Sequence, residues 1–150
     1  MDQLNPSALE SYLHAQIPLT AAMGVRVLRV DLEGIELGAP LAPNRNHQGT
    51  AFGGGIAALA LAAAWSVAHA HVVGRTPAPA IVVAEQRVRY LEPAEEEMRA
   101  FCAAPGRDAW RQLDRALERR GRGRIELQAE VRSGGRTVAR FEGSFVALGG

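Results

Sequence analysis

At 150 residues, 47% hydrophobic and 22% charged, the chain has the size and make-up of one globular domain, 1–150, that can bury its own core. A net charge of +1 gives no general attraction for nucleic acid or an acidic membrane, and neither is expected as a partner. A lone cysteine, Cys102, excludes an internal disulfide and fits a reducing compartment. The N-terminus Met1-Asp2-Gln3-Leu4-Asn5-Pro6 has neither a basic n-region nor an apolar h-region, so no signal peptide is expected and the protein is placed in the cytoplasm.

In chain order, Asn5-Pro6 reads as a cap followed by proline at a first helical position, with Leu9, Tyr12, Leu13 and Ile17 on one helical face and Pro18 as the stop. Val25–Val30 and the alternating Ile35, Leu37, Ala39 and Leu41 form two strands joined by a turn at Glu33-Gly34. Next comes a polar turn, Asn44 to Thr50, running into Gly53-Gly54-Gly55 and then into an Ala/Leu/Val-rich segment that reaches Val73 with no Asp, Glu, Lys or Arg. Ala80–Leu91 is the longest strand, its alternation placing Val82, Ala84, Gln86, Val88 and Tyr90 on one face and Ile81, Val83, Glu85, Arg87, Arg89 and Leu91 on the other. Met98–Ala103 is its expected partner. Asp108 is placed as the cap of a helix with a Trp110, Leu113, Ala116, Leu117 stripe, closed by Gly121. Two alternating strands, Ile125–Val131 and Ala139–Ala147, flank a Gly134-Gly135 hairpin turn.

The charge-free segment is long enough to raise the question of a membrane span, which needs ~20 apolar residues. It is dominated by weakly hydrophobic Ala, is interrupted by Ser66, His69 and His71, and lies between strands of alternating pattern. A helix that is apolar all round must be buried all round. The order α–β–β–α–β–β–α–β–β, with strands joined largely as hairpins, therefore predicts an α+β domain in which a curved antiparallel sheet wraps a central helix, the hotdog fold. Uncovered sheet edges predict a homodimer or higher homo-oligomer.

Several stretches resemble one family. They are Asn44-Arg-Asn-His47-Gln-Gly49-Thr-Ala-Phe-Gly53-Gly54, Tyr90-Leu91-Glu92-Pro93, Arg119-Arg120-Gly121-Arg122 and Val138–Ala147. Together they are similar to the thioesterase domain of the YiiD C-terminal type. The resemblance covers nearly the whole chain and implies a hotdog fold. It also implies an acyl-thioester substrate, carried by CoA or acyl carrier protein, and no cofactor. Members occur alone or after an N-acetyltransferase domain, and the resemblance at this length implies the stand-alone form as the expectation. Better-known hotdog thioesterases place His-Gly-Gly at the start of the central helix and a carboxylate about two turns on. Here Phe52-Gly53-Gly54 takes the first place, and Leu61 with its Ala and Leu neighbours takes the second.

The candidate site follows from these residues. Backbone N–H groups of a first helical turn lack intrahelical partners, and the helix dipole favours negative charge there. Phe52, Gly53, Gly54 and Gly55, with Asn44, are thus the candidates for binding substrate and an oxyanion; one such donor is worth ~3 kcal/mol of barrier. His47 is the titratable candidate for general base, with Asn46 to orient it and Glu85 as the nearest carboxylate by topology. Arg119, Arg120, Arg122 and Arg124 are candidate ligands for the CoA phosphates. His69 and His71 point to different sides of a helix with no carboxylate seen to join them, so no metal is expected. Two other activities stay open: a non-catalytic acyl-CoA-binding module, motivated by the missing carboxylate, and a hotdog dehydratase acting on hydroxyacyl thioesters.

Overall fold

The computed structural model describes residues 4–149; Met1, Asp2 and Gln3, on which part of the N-terminal reading rests, lie outside the described residues. Helix α1 (Pro6–Gln16) starts as its sequence dictates: the Asn5 side-chain oxygen accepts the Ala8 N–H at 2.8 Å, and Leu9 and Leu13 turn inward. Pro18 ends it and then begins a second short helix, α2 (Pro18–Ala22), that the sequence had not suggested. A residue with no N–H loses nothing at a first helical position. Strands β1 (Arg26–Asp31) and β2 (Gly34–Ala39) form the expected hairpin, followed by a 3-10 turn at Ala42–Asn44 and the central helix α3 (Gly53–Val72). Then come β3 (Ala80–Tyr90), β4 (Met98–Ala103), α4 (Arg107–Arg120), β5 (Arg122–Ser133) and β6 (Arg136–Leu148). The β5–β6 turn has φ of 59° at Gly134 and 76° at Gly135, the pair of positive values a tight hairpin requires. Asp108 is not the cap of α4; Gly106 holds that place without a side-chain bond, and Asp108 sits inside the first turn.

The six strands are antiparallel throughout, in the order β1-β2-β4-β5-β6-β3. The expected pairing of β3 with β4 is therefore overturned. The Leu91–Glu97 connection has no glycine and carries Pro93, so it lacks the chemistry of a tight hairpin and lets the chain cross over. Strand β4 lies between β2 and β5 with Met98, Ala100 and Cys102 buried, while β3 takes the far edge on β6. Burial pushes the Cys102 thiol up to about 12, as expected of an inert core cysteine.

The strict alternation read in β3 also fails. Val83 is opposite Phe145 but Glu85 is opposite Ser144, so Ala84 is an extra, bulged residue. Beyond it the faces exchange. Ile81, Val83, Gln86, Val88 and Tyr90 share the α3 side with Ala147, Phe145, Gly143, Phe141 and Ala139, whereas Glu85, Arg87 and Arg89 lie on the outer face.

This is the hotdog arrangement: the sheet wraps α3, whose Leu59, Ala60, Ala63, Ala64, Ala68 and Val72 are buried. By length and composition Gly53–Val72 could cross a membrane; in this fold it is the core. Burial on every side is not reached, however. Gly54 is exposed, and Ala57, Ala58, Leu61 and Trp65 are only half-buried, on a helix wrapped by a sheet whose two edges are β1 and β3.

His69, on the second half of α3, is 7% exposed and stacks on Tyr12 and Trp65 at centroid distances of 4.6 and 4.7 Å. Its Nε2 has no hydrogen-bond partner among the described residues, and burial lowers its pKa. The unfolded chain therefore takes up this proton first. The stabilisation is fully present above the unfolded value of ~6.5 and is lost as pH falls through the lower folded value. We expect thermal stability to drop between pH 7.5 and 5, and His69→Leu to flatten that slope in melts recorded across the range.

Candidate active site at the start of the central helix

The loop before α3 is folded by its two asparagines. The Asn44 side-chain amide, buried, donates to the carbonyls of Met23 (2.9 Å) and Pro40 (2.8 Å), and its backbone carbonyl accepts the Phe52 N–H at 2.7 Å. The Asn46 side-chain oxygen accepts the N–H groups of Gln48 (2.9 Å) and Thr50 (3.2 Å), while its amide donates to Thr50 Oγ1 at 2.9 Å. Asn46 thus closes a turn with His47 at its exposed corner, a use of asparagine that follows from its short side chain. His47 itself makes no side-chain hydrogen bond among the described residues. The Ala51 N–H donates to the Ala94 carbonyl at 2.8 Å and ties the loop to the chain beyond β3.

Phe52 caps α3 through its carbonyl, which accepts the N–H groups of Gly55 (2.9 Å) and Ile56 (3.1 Å). The N–H groups of Gly53 and Gly54 have no partner among the described residues. The three glycines let three different neighbours close in. A Cβ on Gly53 would lie 3.4 Å from the Tyr90 ring, one on Gly54 would meet the Phe52 ring at 2.5 Å, and one on Gly55 would lie 3.4 Å from Asn44. Tyr90, at the end of the edge strand, donates its hydroxyl to the Gly53 carbonyl at 2.9 Å. Beside Gly54 opens an apolar pocket of about 390 Å³, walled by Leu19, Met23, Pro43, Phe52 and Ala58, with Arg45 as its one charged lining residue. The arrangement offers two free donors at the positive end of a 20-residue helix, next to space for an apolar group.

The structure brings Asn44, Asn46, Phe52, Gly53, Gly54 and Gly55 into one constellation, with His47 on its outer turn. Glu85 lies elsewhere, on the outer face opposite Ser144. Arg119 and Arg120 end α4, and Arg122 and Arg124 begin β5, where Arg122 is opposite Leu148 and Leu148 is opposite Ala80. Tyr90, beside Gly53, is at the other end of β3, roughly 33 Å away at ~3.3 Å per strand residue. Within one chain the arginine cluster and the glycine cluster therefore occupy opposite ends of the sheet. Arg124 also donates to Ser144 Oγ at 2.6 Å, on the outer face.

Two features escaped the sequence reading. Tyr90 is part of the constellation; the signal for it was its place in the Tyr90–Pro93 motif, but only the bulge at Ala84 turns it toward the helix. And a carboxylate does join His71: Asp114 on α4 lies 2.9 Å from His71 Nε2 and 2.6 Å from Arg75, with Trp110 stacked on the imidazole at 4.0 Å. That cluster fastens the far end of α3 to α4, and no spacing in the sequence links residues so far apart.

Comparison with known proteins gives the chain a family. The model of the family described as "Putative thioesterase (yiiD_Cterm)" matches residues 6–149. This chain belongs to that family. Among solved structures, a protein of unknown function from Chlorobaculum tepidum is 26% identical with a TM-score of 0.92, each chain covered in full. A protein called a putative thioesterase, from Shewanella oneidensis, is 25% identical with a TM-score of 0.84 over 99% of both chains. A thioesterase from Haemophilus influenzae, 13% identical with a TM-score of 0.75 over 97% of this chain and 92% of that one, shares the fold. The hotdog fold and the family are thus both established, and within the family this chain presents free donors at Gly53 and Gly54, with no carboxylate on α3.

If Tyr90 pins the first turn of α3, Tyr90→Phe will loosen it without unfolding the domain. We expect faster amide hydrogen exchange at Gly55 and Ile56, by up to about tenfold, since a net hydrogen bond is worth ~0.5–1.5 kcal/mol. Global stability, read by denaturant unfolding, is expected to change by less than about 1 kcal/mol.

Proposed function

We propose that this protein hydrolyses an acyl thioester carried by CoA or acyl carrier protein. The observation that carries the reading is the pair of unpartnered N–H groups of Gly53 and Gly54, at the start of a buried helix and beside an apolar pocket. The thioester oxygen sits on those donors, and the acyl group enters the pocket. Water, deprotonated by the His47 imidazole, attacks the carbonyl carbon. The negative charge that develops on the oxygen is held by the helix start, then the C–S bond breaks and the leaving thiolate takes a proton. The role of His47 rests on its being the titratable residue of the loop that Asn46 shapes. Glu85, on the outer face, takes no part in this reading.

The reading is completed by a homodimer formed across β3. That strand is paired on one side only among the described residues, and the apolar side chains of Val82, Val83, Tyr90 and Leu91 are exposed along it. Antiparallel pairing of two such edges sets the Ala80 end of one copy beside the Tyr90 end of the other. The partner's arginine-rich end then approaches the glycine cluster, which is where the phosphates of CoA would need cations. Such pairing would also cover the half-buried side of α3. We expect twice the chain mass by sedimentation at micromolar concentration; a monomer there removes this part of the proposal.

Two observations favour a second reading, a non-catalytic acyl-CoA-binding module: α3 carries no carboxylate, and His47 is exposed with no side-chain hydrogen bond among the described residues. A hydrolysis screen over short to long acyl-CoAs separates the two. Hydrolysis is expected, with His47→Ala lowering kcat/KM by about 10²–10⁴. Gly53→Pro removes one donor at a position where proline suits the helix, and is expected to lower kcat by roughly 10²–10³. Binding with no turnover at any chain length gives the second reading, and full activity of His47→Ala removes the assignment of the base.

A further inference from the structure

We propose a separate anion site on the outer face of the sheet, formed by Arg87, Arg89 and Arg140, that takes a phosphate monoester carrying a flat organic group. The sheet register lays out one row of residues across all the strands: Arg89, Arg140, Glu130, Phe101, Glu36 and Arg29. Opposite charges alternate about Phe101 except at one place, where Arg89 and Arg140 stand directly opposite each other. Like charges so placed destabilise a sheet. Neither residue, nor Arg87, is ion-paired among the described residues.

The nearby carboxylates relieve the conflict only in part, because Glu130 is shared among several partners. Glu130 accepts hydrogen bonds from Thr137 at 2.5 Å and from Arg132 at 3.3 Å. Glu142 is opposite Arg87, and Glu130, opposite Arg140, compensates that residue in part through charge without an ion-pair contact, which leaves Arg89 with no carboxylate opposite it among the described residues. The three guanidinium groups line a concavity of about 480 Å³ that also has Phe101, Ala103 and Gln128 in its walls. The Phe101 ring is held from another side by the Arg29 guanidinium, 4.6 Å from its centroid. Planar guanidinium forks match phosphate oxygens, so a dianion between Arg89 and Arg140 turns the repulsion into attraction. Phe101 and Ala103 supply an apolar wall for what the phosphate carries. Glu130 and Glu142 at the same concavity oppose a larger polyanion. The site is on the face turned away from α3, so it is distinct from the glycine cluster and stands whether or not thioesters are hydrolysed.

The test is thermal unfolding in chloride buffer, with inorganic phosphate or adenosine monophosphate added at constant ionic strength. At ten times its Kd the nucleotide is expected to raise Tm by roughly 3–6 °C, with phosphate binding more weakly. Arg140→Gln is expected to abolish both rises, and Arg89→Gln, which removes the repulsion and keeps Arg140 opposite Glu130, is expected not to lower Tm in chloride. Arg89→Gln, on the exposed edge strand, repeats the test should the first variant fold poorly. Phe101→Leu is expected to bring the nucleotide down to the affinity of phosphate. The proposal is overturned if neither anion raises Tm, or if the rise survives in both arginine variants.

Discussion

Burial of a charge-free helix is the constraint on which the rest of this structure depends. Ala60, Ala63, Ala64 and Ala68 present small side chains to the surrounding sheet, so the strands can approach α3 closely. A helix sheathed along its length has to end at the rim of the sheet, and its first turn then emerges with its N–H groups unsatisfied. The position of the candidate site is in this sense a consequence of packing. The glycines refine it by letting Tyr90, Phe52 and Asn44 close around that turn.

The loop leading into the helix is closed by hydrogen bonds, which narrows what it can contribute. Both amide hydrogens of Asn44 have carbonyl partners, and both polar atoms of the Asn46 side chain are used within the turn. These residues position the backbone and have little left over for a substrate. Free capacity is concentrated in the N–H groups of Gly53 and Gly54 and in the imidazole of His47. Such a division suits a rigid donor pair served by one titratable group, because preorganised dipoles need no rearrangement when charge develops on a ligand.

What could be read from the sequence is what local chemistry determines. Asn5-Pro6 caps α1, Gly134-Gly135 makes the β5–β6 hairpin, and the alternation of Ile125–Val131 and Ala139–Ala147 correctly gives their inner faces. The charge-free run Gly53–Val72 is legible as the core helix for the same reason. Strand order was not legible, since nothing local tells β3 to pass over β4 and pair with β6. Nor was the joining of His71 to Asp114, which depends on how α4 docks. In the sequence Pro18 signals only a stop, although the same missing N–H that ends one helix fits the start of another. For the site, the glycine cluster was legible as a place of close approach at a helix start, which Tyr90, Phe52 and Asn44 occupy. Tyr90 was not, because its direction depends on a bulge.

That bulge separates the two faces of the edge strand. Ile81 and Val83 point toward α3; had the alternation continued unbroken, Glu85, Arg87 and Arg89 would follow them inward and Tyr90 would point out. Three ionisable side chains against an apolar helix would carry a desolvation penalty that no partner on α3 could offset, since that helix has no carboxylate and no basic residue other than histidine. One extra residue, Ala84, reverses the assignment. It sends the charges to the outer face, where Arg89 meets Arg140, and it brings the Tyr90 hydroxyl to the Gly53 carbonyl. The ordering of the helix start and the electropositive patch on the opposite face are therefore linked through a single backbone irregularity, and neither would survive its removal without repacking of β3 against α3.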